Sequence, residues 1–145
     1  GAQADAAGVL QQRTQLLQNE ALQARVPMGA IHAIGHVLGG TCAVAHYLCT
    51  PVMMPGVLQY NEPATEDAQK ELAIALRRPQ ARASETCRQL VTELGLPTRI
   101  KEVGVTEDKF ELIARTTMQE EIFIHTNPRP VSNWEQVRDI LKLAA

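Results

Sequence analysis

The stretch GAIHAIGHVLGGTCAVAHYLCTPVMMPGVLQYN, residues 29–61, carries the main signals for both the fold and the function of this chain. Three of the four histidines in the sequence, His32, His36 and His46, lie within 15 residues of one another. The first two are four positions apart, so they share one face of a helix. His46 follows a break at Gly39-Gly40. This spacing can bring three imidazoles to one point, as metal binding or proton transfer requires.

Almost every segment around this stretch has the apolar periodicity of a helix. The early segments predict a helix over residues 3–24, a helix over residues 30–38 that ends at Gly39, and one helix or two short ones over residues 46–60, kinked at Pro51 or Pro55. Later helices are predicted to begin at capping residues, namely Thr65, Ser84, Thr106, and Ser132 paired with Glu135, and Gly95 is predicted to end one of them. The short run Ile122-Phe123-Ile124 predicts an extended segment or a helix end.

The order of these segments contains no βαβ pattern and no glycine-rich nucleotide motif. The sequence therefore predicts an all-α fold, a single domain over residues 1–145 built as a bundle of six to seven helices.

Charge and composition narrow the classes of partner. A net charge of -2 and an aromatic content of 3% argue against binding to nucleic acid or to an anionic membrane surface. The three cysteines form no disulfide framework, so we expect reduced thiols in a cytoplasmic protein. Pro51 and Pro55 interrupt the longest apolar run, which is too short to span a membrane. The partner that we expect is therefore a small-molecule substrate.

The three histidines have a structural and a functional interpretation. Two histidines at this spacing often only pack or cap a helix, but a third one after a glycine break favours a site. Apolar neighbours predict an apolar pocket around them. The HExxH motif of zincin proteases is absent, because no glutamate stands beside His32, and Ile34 and Gly35 fill the interior of the pattern. Cys42 and Cys49 lack metal-ligand spacing and are expected to be small buried side chains.

Several motifs together identify a family. They are His32-x3-His36-x-Leu38-Gly39, His46, Pro55-Gly-Val57, Gln59-Tyr-Asn61, the turn Gly95-Leu-Pro97, and Asn127-Pro-Arg-Pro-Val131. In this order they resemble the signature of the iron-containing (group III) alcohol dehydrogenases, which include the maleylacetate reductases. The resemblance covers the chain from about residue 26 to the end.

The resemblance implies that this chain corresponds to the family's C-terminal helical domain, without its dinucleotide-binding domain. It implies that His32 and His46 are ligands of Fe²⁺ or Zn²⁺, and that His36 is a catalytic neighbour able to relay a proton. The family's other two ligands, an Asp and a His, should precede this chain, so the ligand set is incomplete and no NAD is expected in this chain alone. Tyr47 departs from the family's Pro-His-Gly pattern and is either a new acid/base group or a surface residue.

Several functions therefore remain open. We favour an enzyme that is not a competent NAD-dependent dehydrogenase by itself: a repurposed isomerase, dehydratase or cyclase that acts on a small carbonyl or polyketide-like substrate through histidine acid/base catalysis. A homodimer could rebuild the missing wall of its site. The first alternative is the metal and substrate half of a split or truncated NAD(P)-dependent alcohol dehydrogenase or maleylacetate reductase, completed by a separate nucleotide-binding chain. The second alternative is a non-catalytic binding protein.

Overall fold

The computed structural model describes residues 8–9, 11–13, 15–16, 29–120 and 124–145. From residue 29 onward these contain six α-helices: α1 (Gly29–Cys42), α2 (His46–Asn61), α3 (Glu66–Ala75), α4 (Ala83–Glu93), α5 (Phe110–Thr117) and α6 (Trp134–Leu143). Short 3-10 helices lie at Glu62–Ala64, Ile100–Val103 and Glu107–Lys109. The described residues contain no β-strand, so the predicted all-α fold is confirmed. None of their helices combines the length and the apolarity that a membrane crossing needs.

Helix α2 forms the centre of the bundle. From Cys49 to Asn61 all of its residues except Gln59 are buried, and it packs against α1, α4 and α6. Pro51 and Pro55 lie inside it without ending it, so the segment predicted as one or two helices is one. An interior proline usually costs a helix about 3 kcal/mol. Burial on every side of α2 offsets this cost.

Two glycines, one in α1 and one in α2, lie where α2 packs closely against neighbouring segments. A Cβ atom on Gly35 of α1 would lie 3.3 Å from the Cβ of Cys49. A Cβ on Gly56 would lie 3.2 Å from the backbone nitrogen of Ala144, just after α6. These two glycines therefore set how closely α1 and the end of α6 approach the central helix.

Two predicted helix ends have different outcomes. The prediction that Gly39 ends a helix is wrong, because α1 continues to Cys42 and the left-handed residue that follows it is Ala43, with φ of 56°. The prediction for Gly95 is confirmed: its φ is +75°, and the amide of Leu96 donates to the carbonyl of Val91 at 3.1 Å. A glycine in the sequence therefore predicts the end of a helix correctly at Gly95, but not at Gly39, where tertiary packing extends the helix.

The capping box of the last helix is shifted by one residue from its predicted position. We predicted Ser132 with Glu135, but Asn133 is the cap and its side chain accepts a hydrogen bond from the Gln136 amide at 3.0 Å. The Gln136 side chain in turn accepts from the Ser132 amide at 2.6 Å. The Ser132 amide is satisfied as a Ser132–Glu135 box would satisfy it, but by Gln136, and the capped amide is that of Gln136 and not of Glu135.

Two predicted segments are described only in part. Residues 8–9, 11–13 and 15–16 are helical, in agreement with the predicted first helix, and the rest of residues 3–24 lies outside the described residues. The Arg13 guanidinium donates to the carbonyl of Leu94, at the end of α4. Ile122 and Phe123 also lie outside the described residues, whereas Ile124 is buried and helical.

Candidate functional site

The three histidines lie on one surface, which we call the histidine face (His32, His36 and His46). All three are exposed, and the side chain of His36 retains 68% of its accessible surface. The apolar residues of α1 lie on its other face and are buried, namely Ala30, Ile31, Ala33, Ile34, Val37 and Leu38. The predicted apolar enclosure of the histidines is therefore wrong, because the helical period that groups the imidazoles directs most of their apolar neighbours into the core.

The histidine face surrounds one small pocket. Its volume is about 180 Å³, and it is lined by Ile31, His32, Gly35, His36, His46, Cys49 and Thr50. The structure thus brings all three predicted histidines to one place. Within the described residues, however, no group of three or more His, Cys, Asp or Glu side chains is arranged to hold a metal ion. The three-ligand site that the spacing alone allowed is not present there.

An acidic residue that the sequence analysis missed contacts the histidine face. The Nδ1 of His36 lies 3.0 Å from Oε1 of Glu120, which follows the end of α5. The two residues are 84 positions apart in the sequence. No local pattern signals such a pair, because the packing of α5 against α1 creates it.

Cys49 belongs to the floor of the pocket and is chemically quiet. Its thiol donates to the carbonyls of Gly35 at 3.5 Å and of Ala45 at 3.6 Å. Burial raises the pKa of the Cys49 thiol to about 11, so it stays protonated at neutral pH and is a poor ligand or nucleophile. The expectation of a small buried side chain is confirmed for Cys49, whereas Cys42 is half-buried.

The remaining candidate, Tyr47, is half-buried and is not among the residues that line the histidine pocket. Its role as an acid/base group stays a prediction. His125, the fourth histidine, lies exposed in a turn, away from this pocket.

Two buried amides, which we call the asparagine clamp (Asn61 and Asn127), hold the elements that carry the histidines. Asn61 is 1% exposed and Asn127 is 6% exposed. Each side-chain nitrogen donates to the other side-chain oxygen, at 3.0 and 2.7 Å. The oxygen of Asn127 also accepts from the backbone nitrogen of Ala30 at 3.3 Å, and its nitrogen donates to the carbonyl of Arg129 at 2.8 Å. The clamp thus joins the start of α1 to the end of α2.

Arg129 extends this connection to the surface. Its guanidinium donates to the carbonyl of Tyr60 at 2.9 Å and lies 4.2 Å from the centroid of the Tyr60 ring. The Tyr60 hydroxyl donates to the carbonyl of Pro130 at 3.0 Å. The Tyr60-Asn61 and Asn-Pro-Arg-Pro motifs therefore hold each other in this chain, a role that the sequence analysis did not assign to them.

Comparison with known proteins gives consistent matches to one family. A family model described as "Fe-containing alcohol dehydrogenase family, C-terminal" matches residues 19–145. Alcohol dehydrogenase 4 of Saccharomyces cerevisiae (strain ATCC 204508 / S288c) is 31% identical over 122 residues, which cover 81% of this chain and 31% of that protein. Maleylacetate reductase of Pseudomonas knackmussii is 30% identical over 104 residues, which cover 72% of this chain and 28% of that protein.

Solved structures give the same result. An iron-containing alcohol dehydrogenase from Corynebacterium glutamicum superposes with a TM-score of 0.68 at 26% identity, over 81% of this chain and 32% of that one. Maleylacetate reductase from Rhizobium sp. strain MTP-10005 also superposes with a TM-score of 0.68 at 26% identity, over 81% of this chain and 31% of that one. The chain thus spans about a third of the length of the proteins that it matches.

Proposed function

The chain belongs to the Fe-containing alcohol dehydrogenase family as its C-terminal helical domain, and from this premise we propose that it supplies the metal- and substrate-binding half of an NAD(P)-dependent alcohol dehydrogenase or reductase. The observation that carries the proposal is the exposed pocket that all three histidines share. Imidazoles that only filled a core would be buried. Exposed imidazoles around one pocket lie where a metal ion and a substrate can reach them.

His32 and His46 are the residues we propose to hold the metal, Fe²⁺ or Zn²⁺. Neutral imidazole nitrogen is a suitable donor for either ion. A stable site usually needs three or four protein ligands, and the described residues provide no group of three. We therefore propose that the remaining ligands come with the nucleotide-binding part of the enzyme, in the same polypeptide or in a second chain.

The mechanism assigns proton transfer to His36. When bound, the metal would polarise the substrate oxygen and the dinucleotide would exchange hydride with the substrate carbon. His36 lines the same pocket as the two proposed ligands, so its imidazole can exchange the proton of the substrate hydroxyl. Ile31, Gly35 and Cys49 form a largely apolar floor, and a pocket of about 180 Å³ favours a small substrate.

The non-redox enzyme that we favoured from the sequence has less support. The relatives that match this chain are named for oxidation or reduction, among them 4-hydroxybutyrate dehydrogenase of Cupriavidus necator and lactaldehyde reductase of Escherichia coli (strain K12). The dehydrogenases and reductases named among these relatives give no support for an isomerase, dehydratase or cyclase, and no contact in the described residues favours such a reaction. That function, like a homodimer or a purely binding role, stays a prediction.

The test of the proposed function measures metal and activity together. In this experiment an affinity tag is added to the C-terminus of the chain. The tagged chain is then purified from its native cells together with the polypeptide that supplies the nucleotide-binding part. We expect stoichiometric metal and NAD(P)-linked oxidation of small alcohols, and we expect both to be lost in His32→Ala and in His46→Ala. His125→Ala is the matched control, because that histidine is exposed and does not line the pocket. Full metal content and full activity in both variants would contradict the proposal.

A further inference from the structure

We propose that Glu120 is a positioning residue that holds the ring of His36 in the Nδ1–H tautomer and leaves Nε2 as the nitrogen available to the substrate. The inference rests on the proposed function, since it assigns a partner to the histidine that moves the proton there. Nothing in the sequence pattern points to Glu120, and only the folded chain brings it to the histidine face.

The hydrogen bond itself selects the tautomer. Nδ1 of His36 and Oε1 of Glu120 are 3.0 Å apart, a normal hydrogen-bond distance. An ionised carboxylate can only accept, so the shared hydrogen belongs to Nδ1. In a neutral imidazole one nitrogen carries the hydrogen and the other is bare. Nε2 of His36 therefore presents a lone pair.

The backbone holds Glu120 in place independently of its hydrogen bond with His36. The amide of Glu120 donates to the carbonyl of Thr117 at 2.9 Å, and the carbonyl of Glu120 accepts from the amide of Ile124 at 3.1 Å. Thr117 and Ile124 are both buried. The Glu120 side chain is 29% exposed, against 68% for His36. The better-anchored carboxylate thus orients the more exposed ring, and not the reverse.

The exposure of the pair also argues against a purely stabilising role. Ion pairs with a solvated partner contribute little to the free energy of unfolding, because solvent screens them and both side chains lose rotamer freedom. Orientation of a ring, by contrast, needs only a persistent hydrogen bond. The geometry therefore suits a residue that acts through His36.

The proton and the hydride that leave the substrate go to different acceptors. In alcohol oxidation the substrate O–H bond breaks and its proton goes to Nε2 of His36, while the C–H electron pair leaves as hydride for the oxidised dinucleotide. The ring then carries hydrogens on both nitrogens and a positive charge, which the Glu120 carboxylate stabilises. In carbonyl reduction the same proton returns from Nε2 to the substrate oxygen.

The first test needs no activity. The 145-residue chain is labelled with ¹⁵N-histidine, and ring nitrogens are observed by NMR at a pH where His36 is neutral; a His36→Asn variant assigns the signal. We expect the Nδ1–H tautomer in the wild type, a shift towards Nε2–H in Glu120→Ala, and retention of Nδ1–H in Glu120→Gln, whose amide oxygen can still accept. Glu93→Ala is the control, since Glu93 is an exposed partner of Arg78 elsewhere. An Nε2–H wild type, or an unchanged tautomer in Glu120→Ala, overturns the inference.

The second test uses the enzyme purified with its nucleotide-binding part. Proton transfer by a positioned side chain contributes about 10²–10⁴-fold to a rate, so loss of the positioning contact in Glu120→Ala should lower kcat on the order of tenfold with little change in KM. Glu120→Gln should recover part of that loss, and Glu93→Ala should leave kcat unchanged. Unchanged kcat in Glu120→Ala overturns the positioning role. A wild-type enzyme without NAD(P)-linked activity overturns the proposed function, and the ring spectra still decide whether Glu120 sets the tautomer.

Discussion

The histidine face and the asparagine clamp both contain polar residues of the motifs singled out in the sequence, yet they differ in burial. The three histidines are exposed around a pocket, whereas Asn61 and Asn127 are almost completely buried and saturate each other's hydrogen bonds. A buried polar group must find its partners inside the protein, whereas an exposed group can be kept for a ligand. Burial thus separates the motifs of this chain into those that hold the helices and those that we propose to perform chemistry.

The comparison makes opposite predictions for substitutions in the two regions. Changes in the clamp should lower the free energy of unfolding, because they leave buried donors and acceptors without partners. Changes on the histidine face should leave the free energy of unfolding almost unchanged and act on metal binding and turnover.

Asn127→Leu should lower the free energy of unfolding by about 3 kcal/mol. The leucine has a similar volume, but it leaves the Ala30 amide and the Asn61 side chain without the partners that Asn127 provides. Denaturant unfolding followed by circular dichroism measures the change. The control is Asn133→Ala, which removes one exposed helix cap and should cost about 1 kcal/mol. If Asn127→Leu and Asn133→Ala lowered the free energy of unfolding equally, the stabilising role of the asparagine clamp would be contradicted.

The thiol of Cys87 tests how burial in the core changes the pKa of a side chain and, through it, the stability of the fold. Burial raises the pKa of its thiol from 9.0 to about 12. Between these values the unfolded chain loses the proton and the folded chain keeps it, so stability is complete below pH 9 and falls as the pH rises. The thiol should therefore remove about 1.4 kcal/mol of stability per pH unit above pH 9. Cys87→Ala should show a shallower decline between pH 8 and pH 10, and parallel declines would contradict the assignment.

Arg129→Ala should lower the free energy of unfolding by about 1 kcal/mol. The substitution removes both the hydrogen bond to the Tyr60 carbonyl and the contact of the guanidinium with the Tyr60 ring. Arg129→Lys keeps a cation but not the planar fork, and we expect an intermediate loss in thermal unfolding. If Arg129→Ala lowered the free energy of unfolding as much as Asn127→Leu does, Arg129 would belong to the stabilising cluster. If it caused no loss, only the two amides of the asparagine clamp would be stabilising.

The smallest effects on stability are expected on the histidine face. His32→Ala, His36→Ala and His46→Ala should each change the free energy of unfolding by less than about 0.5 kcal/mol, because exposed side chains contribute little to it. Denaturant unfolding of the three variants beside His125→Ala checks this. A loss above about 2 kcal/mol in any of the three would show that the imidazole supports the fold, and the contrast with the clamp would fail.

Local sequence signals predicted the parts of the fold that local interactions control. The all-α class and the helix end at Gly95 follow from helical periodicity and turn chemistry. Local signals do not determine where α1 ends or which residue caps α6. Packing extends α1 past Gly39, and Asn133 is as good a cap as Ser132, so the local pattern leaves more than one solution.

The candidate site shows the same limit. Helical spacing was enough to bring His32 and His36 to one face, and the turn after α1 brought His46 to the same pocket. Glu120 could not be predicted, because it meets His36 across 84 positions through tertiary packing. The clamp pairs Asn61 with Asn127 across 66 positions for the same reason. Chemistry-bearing residues were visible in the sequence, and their partners were not.

The central claim is that the histidine face binds a metal through His32 and His46. Titration with Zn²⁺ of the metal-free chain together with the polypeptide that supplies the nucleotide-binding part, followed through the ring resonances of histidines labelled in this chain, tests it most directly. The account predicts that the signals of His32 and His46 shift together with one binding curve while that of His125 stays in place, and that either His32→Ala or His46→Ala weakens binding by at least about tenfold. Zn²⁺ binding that persists unchanged in both variants, or that follows His125, would contradict the claim.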